Sequence, residues 1–123
     1  MRYMLLIYAK ENALTEPERE KCYAESTRLC HDLEARGQFV SASPLQSVET
    51  ATTVRVRDGK PVITDGPFAE THEQLGGYFM IEARDLNEAI SVAARIPAAR
   101  WGTVEVRPVV ELAGMPAAGG RTP

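Results

Sequence analysis

Residues 2–9 read Arg2-Tyr3-Met4-Leu5-Leu6-Ile7-Tyr8-Ala9, and both alternating sets of this run are apolar. Tyr3, Leu5 and Ile7 fall on one side, Met4, Leu6 and Tyr8 on the other. Successive strand residues point to opposite faces, so such a strand belongs in a sheet covered on both sides. The same two-sided pattern returns at Tyr78-Phe79-Met80-Ile81-Glu82-Ala83. The rest of the chain has to supply two covers for one sheet.

The first cover is helical. Thr15-Glu16-Pro17-Glu18 opens a helix with Thr15 as N-cap, Pro17 in the first turn and acids at the positive end of the dipole. Its apolar stripe, Cys22, Ser26, Leu29, Cys30 and Leu33, steps by three and four, and Arg36-Gly37 ends it. A second helix opens at Asp85-Leu86-Asn87-Glu88, capped by Asp85 or Asn87. Leu86, Ala89, Ile90, Ala93 and Ala94 form its stripe, and Ile96-Pro97 terminates it. Between the helices lie a strand at 38–42, a loop at 43–50 and strands at 52–57 and 60–64 joined by the primed-turn pair Asp58-Gly59. Residues 65–75 read as a loop or short helical turn, Gly76-Gly77 precede the strand at 78–83, and a last strand spans 103–110.

This order predicts an α+β, ferredoxin-like antiparallel sheet with two helices on one face and an extra β-hairpin. The helices leave the other face bare, and soluble monomers rarely expose an apolar patch of that size. The expectation is a homodimer whose two sheets pack face to face as a dimeric α+β barrel. A chain of 123 residues supports one core. The reading is one domain over 1–112 with a disordered Ala, Gly and Pro tail over 113–123.

Composition narrows the function. Apolar residues make up 44% and charged residues 25%, ordinary globular usage. A net charge of -3 argues against nucleic-acid binding, which needs concentrated Lys and Arg. The apolar start is too short for a signal peptide, and no run reaches the roughly 20 residues that span a bilayer, so a cytoplasmic location with no membrane partner is expected. Cys22 and Cys30 are separated by about 12 Å of helical rise, too far to bridge, and read as reduced thiols. No Walker loop, dinucleotide fingerprint, nucleophile elbow or zinc spacing occurs, so the expectation is no bound cofactor and no metal.

The segment Thr64-Asp65-Gly66-Pro67-Phe68-Ala69-Glu70-Thr71, followed by Glu73-Gln74-Leu75-Gly76-Gly77-Tyr78-Phe79, resembles the DGPF branch of the YCII-related family. The likeness extends to Tyr3–Tyr8, Thr52–Arg55, Asp85–Ala89, Ile96–Arg100 and Glu105–Pro108, and so to roughly 110 residues. It implies the same dimeric α+β barrel. It also implies an encoded or fused association with extracytoplasmic-function sigma factors, and so a sigma factor as partner. Shorter members of the wider family carry a helix His with an acidic partner as a proposed catalytic pair. The comparable position here is Ser26, so that pair is not carried over. His72 stands where DGPF members often have Lys, and an imidazole does not supply a permanent positive charge.

Reactive groups are densest at Asp65, Glu70, His72 and Glu73. Asp65 is a candidate general acid or base if desolvated against Phe68 and a dimer interface, with His72 assisting. Its plainer role is to accept backbone hydrogen bonds and organise the turn. Glu70 and Glu73 share a face if the loop holds a helical turn, though acidic runs are more often solvated. Phe68, Glu70, Glu73 and Tyr78 complete the candidate ligand site, while Tyr78 also suits core packing with a satisfied hydroxyl. His31-Asp32 reads as surface, and Arg100-Trp101 as the mouth of a dimer cleft. Two functions follow as expectations: a small-molecule enzyme or binder acting through Asp65, or a non-catalytic dimeric module that contacts a partner protein.

Overall fold

A computed structural model describes residues 1–116. The expected tail therefore lies, from residue 117 onward, outside the described residues. The chain is α+β, with two α-helices and antiparallel sheets. Strand β1 (Arg2–Ala9) leads to helix α1 (Glu16–Ala35) and strand β2 (Phe39–Pro44). Strands β3 (Thr52–Arg57) and β4 (Lys60–Asp65) form a separate two-stranded hairpin. Strand β5 (Gln74–Glu82), helix α2 (Leu86–Ala93) and strand β6 (Thr103–Pro108) complete the order. The main sheet runs β2-β5-β1-β6, with antiparallel pairing throughout.

Local chemistry accounts for most of these boundaries. Thr15 caps α1 reciprocally: its hydroxyl accepts from the Glu18 N–H at 3.3 Å, and the Glu18 carboxylate accepts from the Thr15 N–H at 2.8 Å. These bonds hold the Glu18 carboxyl below its ordinary pKa. Asp85 caps α2 through the Glu88 N–H at 2.9 Å. Between β3 and β4, Asp58 (φ 51°) and Gly59 (φ 75°) both take positive φ, as a primed hairpin turn requires.

The core lies on one side of the main sheet. Register places Tyr3 opposite Ile81 and Leu5 opposite Phe79, and these four are buried with Leu29 and Leu33 of α1 and Ala89, Val92 and Ala93 of α2. Both helices therefore cover the same face. On the opposite face Met4 stands beside Met80 and Leu6 beside Tyr78, all half-buried.

Several expectations shift. Strand β2 continues through Ser43-Pro44 because it pairs there with Tyr78 and Gly77. Strand β5 begins at Gln74, so Gly76 and Gly77 lie inside it, with a bulge where the register jumps between Ile7/Gly77 and Tyr8/Leu75. Strand β6 ends at Pro108. In α2, Leu86 and Ile90 are 49% and 48% exposed; Ala89, Val92 and Ala93 point inward with Ile96 beyond them. A helix of two turns offers two overlapping stripes, and the small side chains are the ones that let it approach the sheet.

Asp32, near the end of α1, accepts a hydrogen bond from the Arg95 guanidinium and lies 3.8 Å from Arg36. The Arg95 bond chiefly, opposed by desolvation and reinforced by the Arg36 and Arg95 charges, holds the Asp32 carboxyl below the usual range. A carboxyl depressed on folding stabilises above its unfolded pKa and loses that contribution as pH falls through the folded value. Asp32→Asn is therefore expected to lower the melting temperature at neutral pH and to converge with wild type in acid. Parallel melting curves across pH check this, and a constant gap would refute it.

Candidate functional site

Helix α1 touches the sheet mainly through Leu29 and Leu33, both in its C-terminal half. Its N-terminal half presents Cys22 and Ser26, too small to fill the space beneath, and an open cleft of about 1370 Å³ results. The walls are apolar at Ile7, Ala42, Phe79 and Trp101, and polar groups enter from Arg19, Ser26 and His72. An apolar lining with a few placed polar groups is the usual character of small-molecule sites.

Side-chain bonds brace the cleft. The Glu11 carboxylate accepts from Ser47 Oγ at 2.9 Å and the Val48 N–H at 2.8 Å, while its own N–H donates to Gln74 Oε1 at 3.2 Å. Arg19 donates to the Glu11 carbonyl at 3.2 Å, and Gln74 Nε2 to the Thr71 carbonyl at 2.7 Å. Glu11 and Gln74 thus tie the turn after β1, the segment at 47–48 and the start of β5 to one another. Sequence reasoning missed both, since the bonds that join the three segments span 36 to 63 residues. On the far side Arg100 donates to both carboxylate oxygens of Glu25, at 3.2 and 3.1 Å, and sits 5.5 Å from the Trp101 ring centre. Trp101 is thereby fixed as a wall of the cleft of one chain.

Cys22 and Cys30 are free and half-buried, and both line this cleft. Burial pushes each thiol pKa up, and for Cys22 a Ser26 hydrogen bond opposes only part of that. Burial therefore works against thiolate formation at both positions.

The residues singled out from sequence are spread over two places. His72 and Tyr78 border the α1 cleft. Phe68 and Glu70 line a second hollow of about 540 Å³, walled on its other side by Tyr8 and Leu75. Asp65 ends β4 and is exposed, and Phe68 is 78% exposed, so the desolvation of Asp65 against Phe68 does not occur within one chain. The turn is organised instead at Gly66, whose N–H donates to the Ala51 carbonyl and whose carbonyl accepts from Thr53 Oγ1, each at 2.7 Å. Glu73 accepts from Thr103 Oγ1 at 3.1 Å. Residues 66–73 contain no helical turn, so Glu70 and Glu73 are not stacked on a helical face. Among the described residues no three His, Cys, Asp or Glu side chains are grouped as metal ligands, and no helix is long and apolar enough to cross a membrane.

Comparison with known proteins matches the YCII-related domain over residues 1–113. The chain belongs to the YCII-related domain family. An uncharacterized protein of Rhizobium meliloti (strain 1021) is 35% identical, over 89% of this chain and 92% of its own length. The YCII-related domain thus includes the whole sheet, both helices and both hollows.

Proposed function

We propose that this protein is a small-molecule enzyme or binder of the DGPF branch, working as a cytoplasmic homodimer without a bound cofactor. The observation that carries this reading is the cleft under the N-terminal half of α1, with its apolar walls and the Arg19, Ser26 and His72 groups at its surface. His72 supplies an acid or base there. Asp65 and Phe68 take part through the dimer, since both are exposed, one at the end of β4 and the other on the loop after it, where a second copy would cover them. The strand order and inserted hairpin support a ferredoxin-like unit. The apolar Met4, Leu6, Tyr78 and Met80 on the face without helices support a pairing of two sheets as an α+β barrel.

The cleft is tested by plugging it. Ser26→Phe places a ring in the space between α1 and the sheet without touching the buried core. Screening a diverse set of small organic compounds by thermal shift is expected to give hits that stabilise wild type. Saturation at a hundredfold excess over the Kd corresponds to about 2.7 kcal/mol. The same compounds leave Ser26→Phe unmoved. Hits that stabilise both proteins equally, or a wild type that responds to none, would sink the reading.

A further inference from the structure

Among the described residues every lysine and arginine is exposed except Arg2 and Arg19, which are half-buried. The fold treats these two differently. Arg2 meets the Glu82 carboxylate at 2.6 Å. Arg19 donates to one backbone oxygen, the Glu11 carbonyl at 3.2 Å, and no carboxylate of the described residues lies within ion-pair distance of it. Glu11 itself turns its acid elsewhere, with Oε1 accepting from Ser47 and Oε2 from the Val48 N–H. A guanidinium is a planar fork of N–H donors, and a charge partly withdrawn from water is costly without a partner. Arg19 therefore brings to the cleft it lines a positive charge that its own chain does not balance.

Hydrogen bonds hold this cation close to His72. Arg19 grips the Glu11 carbonyl, the Glu11 N–H donates to Gln74 Oε1 at 3.2 Å, and Gln74 Nε2 donates to the Thr71 carbonyl at 2.7 Å, so the chain of bonds ends on the residue before His72. The remaining walls at Ile7, Phe79 and Trp101 are apolar. Such a cavity suits a molecule with one charged end and an apolar body. The other ionised groups of the lining decide how much charge. Lys10 is exposed, and Glu11 and Glu49 are acids. A phosphate monoester would bring a second negative charge toward two acids with one half-buried cation to hold it, whereas a carboxylate matches the guanidinium fork in charge and in shape.

We infer that the cleft takes a small monocarboxylic acid with an aromatic or aliphatic body, its carboxylate held by Arg19 and its body against the apolar walls. The inference rests on the cleft as a small-molecule site and names the class of molecule that fills it.

Titration of the full chain with phenylacetate and hexanoate, each beside its neutral amide, reads the charge directly. Wild type is expected to bind each acid about tenfold or more tightly than the matching amide, the worth of hydrogen bonds to a charged group. Arg19→Met keeps a long apolar stem and a good helix former while removing the fork. It is expected to weaken the acids by about tenfold or more and to leave the amides within about twofold, so amide binding reports that the cleft is still folded. Ser26→Phe is expected to abolish binding of both. Equal affinity of acid and amide for wild type overturns the anion site while the cleft reading stands. An acid preference that persists in Arg19→Met, or acid binding that persists in Ser26→Phe, overturns the assignment to Arg19 in this cleft. Failure of both acids and both amides, beside neutral hits from the wider compound screen, overturns this inference alone, and a wild type that binds nothing overturns the cleft reading with it.

Discussion

Leu33→Ala is expected to lower the free energy of unfolding by about 3 kcal/mol, read from urea or thermal denaturation. Leu33 is fully buried, and with Leu29 it is what fastens the long helix α1 to the sheet. Truncation removes the transfer free energy of three carbons and leaves a cavity that the surrounding strands cannot collapse into. For a domain of this size that is a large part of the roughly 5–15 kcal/mol available. The effect reaches the site as well, because the cleft exists only while the C-terminal half of α1 holds the helix in place over the sheet. Leu86→Ala is the matched control. Leu86 was expected on the inner stripe of α2 but is 49% exposed, and its truncation is expected to cost no more than about 0.5 kcal/mol. Equal losses for the two variants would mean that α1 is not anchored at Leu33.

That control marks where the sequence stops being legible. The helix starts could be read because caps are local: Thr15 bonds a residue three positions on, and so does Asp85. The hairpin could be read because Asp58-Gly59 encodes its own turn. The inner face of α2 could be read only in part: Ala89 and Ala93 are buried as the stripe predicts, but Leu86, Ile90 and Ala94 are exposed and Val92 takes the inner place, because a two-turn helix fits two overlapping stripes and the choice is made by how closely the sheet must be approached. The start of β5 was missed for a similar reason. Gly76-Gly77 look like a break, but pairing with β1 carries the strand back to Gln74 across a bulge.

The candidate site was less legible than the fold. Asp65, Glu70, His72 and Glu73 are neighbours in sequence, yet the irregular path of 66–73 leaves Asp65 exposed, Glu70 at the smaller hollow, His72 at the cleft and Glu73 bonded to Thr103. A cluster along a chain becomes a cluster in space only if the backbone turns back on itself, and this loop does not. The better signal lay in α1. Cys22, Ser26 and Cys30 occupy packing positions with side chains smaller than such positions usually hold, and the cleft is the volume they leave unfilled. Its braces, Glu11 and Gln74, carried no signal because each works through partners distant in sequence.

Gly102→Ala is expected to destabilise the protein by about 3 kcal/mol, at the upper end of what overpacking usually costs. A Cβ at this position would collide with the Tyr8 carbonyl oxygen and stand 2.9 Å from Ala9 Cβ and 3.2 Å from Ala9 Cα. These are atoms of β1, held between β5 and β6, so the clash cannot be relieved by turning a side chain aside. Relief instead requires β6 to move away at its first pair, Thr103 with Tyr8. It would also disturb the 2.7 Å bond from the Gly102 N–H to the Ala98 carbonyl, which sets the turn carrying Trp101 into the cleft wall. Gly76→Ala isolates the steric cause, because its Cβ would meet nothing closer than 4.0 Å, and it is expected to change stability by less than about 1 kcal/mol. Gly102→Ala should therefore lower the denaturation midpoint far more than Gly76→Ala and quench or shift the Trp101 fluorescence, the chain having one Trp. Matching midpoints with an unchanged emission maximum would show that β1 and the Trp101 turn are free to separate, and that the cleft wall is not set by this contact.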